Sequence, residues 1–166
     1  MSSTSSSATG EITDGSVNLI LLAAARQKSC KSCKFMLTQA EMYDLMYEVR
    51  GAAMEVYNHF GPGLLESVYE KAMVQELALR GLNVESQIPV AINYKGASVG
   101  DDLRLDLLVE NELIVELKSV EEIKDVYYKQ LRTYLKLLGN EEGLLINFGE
   151  YDLKKGMRRV TLNEYR

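Results

Sequence analysis

Tryptophan is absent from this 166-residue chain, and there are only one histidine, two cysteines and two prolines. A lone histidine, His59, without a suitable partner argues against a Ser-His or Cys-His nucleophilic triad. Beside the Gly61-Pro62-Gly63 turn it reads as a helix-end residue. Two cysteines do not make a disulfide framework, so the expected setting is cytoplasmic and reduced. No apolar run approaches the roughly 20 residues that a bilayer span needs. The short run 19–25 follows Glu11 and Asp14 rather than a basic segment, which speaks against a secretory signal. There is no glycine-rich phosphate loop and no internal repeat.

What is present suits one soluble domain with a tail: 46% hydrophobic and 26% charged residues. Residues 1–37 are expected to be a disordered tail, because MSSTSSSATG is Ser-rich and cannot bury a core. Cys30 and Cys33 have the spacing of half a zinc site, but a structural zinc needs about four ligands and only His59 remains. Met36 is a candidate for the true start of the native protein, in which case the tail would not belong to it. The tail carries four Lys/Arg against two acids, so the body 38–166 holds a net charge of −7 out of the chain's −5. That is a poor footprint for sequence-independent nucleic-acid binding. The segment 124–166 is locally basic, with nine Lys/Arg and six acids.

The spacing predicts a helix over 38–59, capped by Thr38 and Glu41 and ended by Gly61-Pro62-Gly63. A second helix is expected over 64–80, with Leu64, Leu65, Val68, Tyr69, Ala72, Met73 and Leu77 on its apolar side. The period then changes to that of strands, at 84–94, 102–109 and 113–120. A third helix follows over 121–138, a buried strand over 143–148 and a last strand at 157–162. The strand-helix-strand unit 113–148 favours a parallel crossover, and so a mixed sheet flanked by helices.

Within LRLDLLVENELIVELKS, residues 103–119, Arg104, Asp106, Glu116 and Lys118 interrupt the apolar runs. A two-residue turn would mix acids with leucines on both faces of the hairpin. A three-residue loop at 110–112 opposes Leu107 to Val115, Leu105 to Leu117 and Asp106 to Glu116. One face is then aliphatic and the other gathers the four charges, so hydrophobic register selects this pairing. Adjacent carboxylates need a cation or proton between them. Lys118 is one candidate. A divalent ion is another, and hard oxygen donors suit magnesium or manganese. The plainer alternative is a solvated face with Asp–Arg and Glu–Lys pairs. Two polar residues on apolar helix stripes, Glu66 and Gln130, could converge on the same face.

These residues resemble a family. Gly63-Leu-Leu-Glu66-Ser-Val-Tyr69 is similar to the signature of the GxxExxY proteins, which are grouped with the PD-(D/E)XK nucleases. Asp106 followed by Glu116-Leu117-Lys118 resembles that superfamily's D…ExK core, and Gln130-x-x-x-Tyr134 resembles the family's Gln-x-x-x-Tyr helix. The segments 143–149 and 158–160 resemble its closing segment, so the likeness covers roughly 40–160. It implies a restriction-endonuclease-like αβββαβ core with an extra N-terminal helix, and a metal-dependent phosphodiesterase site. Asp106 and Glu116 would hold Mg2+ or Mn2+, and Glu66 would complete the acidic set. Lys118 would orient water and offset charge, and Gln130 would support the site. Tyr69, Arg104 and Tyr134 are candidates to stand around the site, although core packing explains the helical spacing of the two tyrosines equally well. The proline of the superfamily's name is absent, since Leu105 precedes Asp106.

The expected partner is DNA or RNA, with no membrane role. Lys129, Arg132 and Lys136, spaced along one face of the third helix, are the candidate phosphate contacts, and Lys154, Lys155, Arg158 and Arg159 could extend them. Against a nuclease stands the acidic body, which leaves a catalytically weak binding or regulatory domain as the alternative. A homodimer through the first helix, rich in Met and Tyr, is a third reading.

Overall fold

The computed structural model describes residues 37–162, with the side chains of 101 and 102 left aside. Cys30, Cys33, the Met36 start and the tail expected over 1–37 lie outside that range, apart from residue 37.

Helix α1 runs Gln39–Phe60 and begins with the expected capping box, in which Thr38 and Glu41 satisfy each other's backbone N–H groups. Its Leu45, Met46, Val49, Ala52, Ala53 and Val56 are buried. The chain leaves it through Gly61 and Gly63, whose φ values of 68° and 107° are open to glycine at little cost. Helix α2 starts only at Glu66 and ends at Leu79. Leu64 and Leu65, expected on its apolar face, precede it and are exposed, as is Val68. Only Tyr69, Met73 and Leu77 face the core.

Five strands follow in sheet order β1-β2-β3-β4-β5. They are β1 Val84–Tyr94, β2 Ala97–Val109, β3 Leu113–Lys118, β4 Glu142–Asn147 and β5 Met157–Thr161. Helix α3, Asp125–Leu138, connects β3 to β4, which pair in parallel, while all other neighbours are antiparallel. The sheet is therefore mixed and flanked by helices, consistent with a restriction-endonuclease-like α/β fold. A short helix α4, Leu153–Gly156, precedes β5 and was not legible in the pattern. Residues 121–124, expected to begin α3, are irregular, because the chain leaving β3 is tied down first. The Asn147 side chain accepts from Val120 N–H at 2.9 Å and donates to Val120 O at 2.8 Å.

The β2–β3 hairpin adopts the three-residue connection. Val109 pairs with Leu113, Leu108 with Ile114 and Leu107 with Val115. Glu110 and Asn111 both take positive φ, 53° and 58°, closed by the Glu112 N–H to Val109 O bond of 3.1 Å. On the α3 side, Leu131, Tyr134 and Leu135 pack with Val90, Ile114, Leu145 and Val160. Leu145 pairs with Glu116, so the β3 face carrying Ile114, Glu116 and Lys118 is covered by α3. Leu105 also joins this cluster, although alternation from Leu107 assigns it to the opposite face. Between the partners of those two residues, Ser86 and Ile88, β1 holds Gln87 at φ 53°, which interrupts the regular pleat.

Candidate active site

The last turns of β3 bring charge into an apolar setting. Glu116 and Lys118 are both buried, and Lys118 Nζ donates to Glu116 Oε1 at 2.6 Å. The second oxygen, Glu116 Oε2, is buried with no hydrogen-bond partner. Glu66, first residue of α2, places its Oε1 3.8 Å from the same ammonium. Its carboxylate also accepts from the Ser119 backbone N–H, and the Ser119 hydroxyl donates to Leu64 O at 2.7 Å. Ser119 thus fastens the start of α2 to the end of β3.

Asp106 arrives from β2, just where its ladder with β3 stops. Beyond Leu107–Val115 the Asp106 carboxylate replaces a backbone acceptor: Leu117 N–H donates to Oδ2 at 2.8 Å. That bond anchors the carboxylate beside Glu116 and Lys118. The electrostatics reflect one ammonium shared among three carboxylates. Burial and the neighbouring Asp106 charge push Glu116 up to about 7, despite Lys118. Burial also raises Asp106 and Glu66, against the pull of Leu117 N–H and Lys118. Lys118 is raised in spite of burial, because its bond to Glu116 and the charges of Glu116, Glu66 and Asp106 all favour the ammonium.

The other expected residues divide. Gln130 Nε2 donates to Tyr134 Oη at 3.0 Å, and that hydroxyl donates to Arg104 O at 3.0 Å. Burial and the charges of Glu116 and Asp106 raise the Tyr134 phenol, which places it in the field of the cluster. Arg104 itself turns toward β1 and donates to Gln87 O at 3.1 Å. Tyr69 stacks on Phe148 at 4.3 Å and reaches the glycine turn instead of the carboxylates. Its hydroxyl donates to Gly61 O at 2.6 Å and accepts from Leu64 N–H at 3.1 Å. Lys129 and Lys136 are exposed on α3, and Arg132 is half-buried. Arg159 is committed elsewhere, gripping Glu142 with two nitrogens and Tyr43 Oη at 2.9 Å. His59 is exposed and rests edge-on against Phe60.

A family model of the PD-(D/E)XK nuclease superfamily matches residues 43–160, well over half of the chain. The chain belongs to that superfamily. A solved crystal structure, that of SSO0001, resembles the chain at 16% identity and a TM-score of 0.47, over 92% of this chain and 78% of that one. A search of curated proteins found no match.

Three participants escaped the sequence pattern. Ser119 and Asn147 fall within the strands expected over 113–120 and 143–148, and Tyr127, within the expected third helix, lies with its ring 5.5 Å from Lys118 Nζ. Asn147 had a signal, since a fully buried amide in the run 143–148 needs partners. Gly149 completes that exit, because a Cβ there would run into the Val120 carbonyl. No group of three His, Cys, Asp or Glu among the described residues is arranged to hold a metal ion by itself. The three carboxylates are instead disposed around Lys118.

Proposed function

We propose that this superfamily member is a metal-dependent nuclease of the GxxExxY type, hydrolysing phosphodiester bonds of DNA or RNA. The observation that carries the reading is the charge count at β3. With all three ionised, Asp106, Glu116 and Glu66 exceed Lys118 by two negative charges, and Glu116 Oε2 is buried without a partner. Oxygen donors with that excess suit a hard divalent cation, magnesium or manganese, held by Asp106 and Glu116 with Glu66 completing the set. Such an ion, when bound, supplies an activated water and neutralises charge on the phosphate.

The protein's own groups have separable roles. Leu117 N–H holds the Asp106 carboxylate in place, and Ser119 N–H does the same for Glu66. Lys118, held on Glu116, is the cation that would orient water and stabilise negative charge developing on the phosphate. Gln130 orders the Tyr134 hydroxyl beside the carboxylates and supports the site from α3. Lys129, Arg132 and Lys136 on α3 are the proposed backbone contacts, countering the acidic body locally. That acidity also favours the second reading, a nuclease-fold domain that binds without turnover.

Cleavage of varied DNA and RNA by the full chain in Mg2+ or Mn2+, beside Asp106→Ala and Lys118→Ala, tests both. The expected result is metal-dependent cleavage lost in each variant. Cleavage that survives both substitutions overturns the site. Binding without cleavage on any substrate moves the chain to the second reading.

A further inference from the structure

Hydrolysis at the carboxylates leaves the adjoining cleft unexplained. It measures about 610 Å3 and is bounded by Leu64 and Leu65 ahead of α2, Ser119 and Glu121 beyond β3, and Glu150 and Tyr151 beyond β4. Leu65 and Ser119 are the chain neighbours of Glu66 and Lys118, so the cleft adjoins the charged cluster. Two large side chains stand exposed on its walls, Leu65 75% and Tyr151 90% accessible. The Tyr151 ring nonetheless stands on a fixed base. The Tyr57 hydroxyl, projecting from α1, lies 2.8 Å from the carbonyl oxygens of both Glu150 and Tyr151.

Charge decides what can occupy this cleft. Glu121 and Glu150 are on its walls, and none of the described residues lining it is Lys or Arg. A phosphate is repelled there. A nucleobase is neutral, has an apolar face for a tyrosine ring or leucine, and carries N–H groups that can donate to a carboxylate. Inside a duplex those faces are covered by neighbouring base pairs, so an unpaired base or a strand end is what offers one.

We propose that the cleft is a stacking subsite for an unpaired base next to the scissile phosphate, with Tyr151 and Leu65 as its apolar surfaces. The preferred substrate is then single-stranded or frayed nucleic acid. The position of the scissile phosphate rests on the nuclease reading above.

Single-stranded oligonucleotides containing 2-aminopurine test this, since stacking quenches that base. The full chain should quench it. Tyr151→Ala should lose the quenching and about tenfold in single-strand affinity, the scale of one base–aromatic stack. Tyr151→Phe should retain both. Efficient cleavage of single strands that is equal in wild type and Tyr151→Ala overturns the subsite and leaves the nuclease reading standing. Tyr151-dependent quenching without cleavage of any substrate supports the subsite and removes the nuclease reading. Absence of quenching by the wild type overturns the subsite whatever the cleavage result.

Discussion

Lys118 grips Glu116 at 2.6 Å from two positions further along the same strand. Alternation places i and i+2 on one face, so this contact is built into β3. Everything else in the cluster must be brought to it. Asp106 comes from the neighbouring strand and Glu66 from the start of a helix fifty residues earlier in the chain. Lys118 is therefore the common partner of acids that repel one another.

Removing that partner should cost both activity and stability. Lys118→Ala is expected to lower kcat by about 10²–10³-fold, the effect of deleting one preorganised donor. It also leaves Glu116 buried without its counterion, which pushes that carboxyl further toward its protonated form and destabilises the fold, most of all above pH 7. Paired replacement, Glu116→Gln with Lys118→Met, should restore most of the stability and none of the activity. Urea unfolding beside the cleavage assay reads the two effects separately. A double variant no more stable than Lys118→Ala would contradict this account.

The raised Glu116 makes stability depend on pH in a definite direction. The folded carboxyl keeps its proton up to about pH 7, whereas the unfolded one releases it near 4.5. Between those values the native state binds more protons, so stability of the metal-free protein falls as pH rises. Asp106 and Glu66, also raised, act in the same sense. Glu116→Gln should flatten the decline. Divalent-ion affinity should climb through the same interval, since the ligands must be deprotonated. Melts at pH 5, 6, 7 and 8, with and without Mg2+, check both; a flat wild-type profile would disprove the assignment.

Asn147 holds the exit of β3 closed. Its amide makes bonds to Val120 N–H, Val120 O and Gly149 N–H at 2.9, 2.8 and 3.1 Å. Asn147→Ala strands these backbone groups and should cost about 1–3 kcal/mol for each that stays buried and unsatisfied. Activity of the variant at a temperature where it remains folded should also fall, because Lys118 lies at the strand end that Asn147 secures. Thermal unfolding by circular dichroism measures the first effect. An unchanged midpoint would show that water replaces the amide.

Tyr69→Phe isolates one hydroxyl. The ring keeps its stack on Phe148, while the bonds to Gly61 O and Leu64 N–H are lost. The expected stability cost is about 1 kcal/mol. Glu66 follows directly on the loop these bonds hold, so kcat should drop while the pH profile keeps its shape. A variant with wild-type kcat would separate that loop from the site.

The hairpin shows how far local pattern reaches. Asp106, Glu116 and Lys118 could be assigned to one cluster because a strand has period two and only one register keeps the opposite face aliphatic. The same rule failed at Leu105, where Gln87 on the neighbouring strand breaks the pleat. It also grouped Arg104 with the acids, although its guanidinium bonds Gln87 O instead. Leu64 and Leu65 were placed on a helix because hydrophobic spacing does not register a backbone that has yet to leave the Gly61-Pro62-Gly63 turn.

Sequence by itself determined the order of the long helices and the strands, the hairpin register and the grouping of Glu116 with Lys118 on one face of β3. Each follows from side chains a few residues apart, where periodicity and turn chemistry act. Only the tertiary structure decided that α3 covers that face and that Glu66 reaches Lys118. It likewise placed Ser119 and Asn147 as fasteners and left Arg159 bound to Glu142. Those contacts join residues far apart in the chain, and packing, which no local pattern records, selects them.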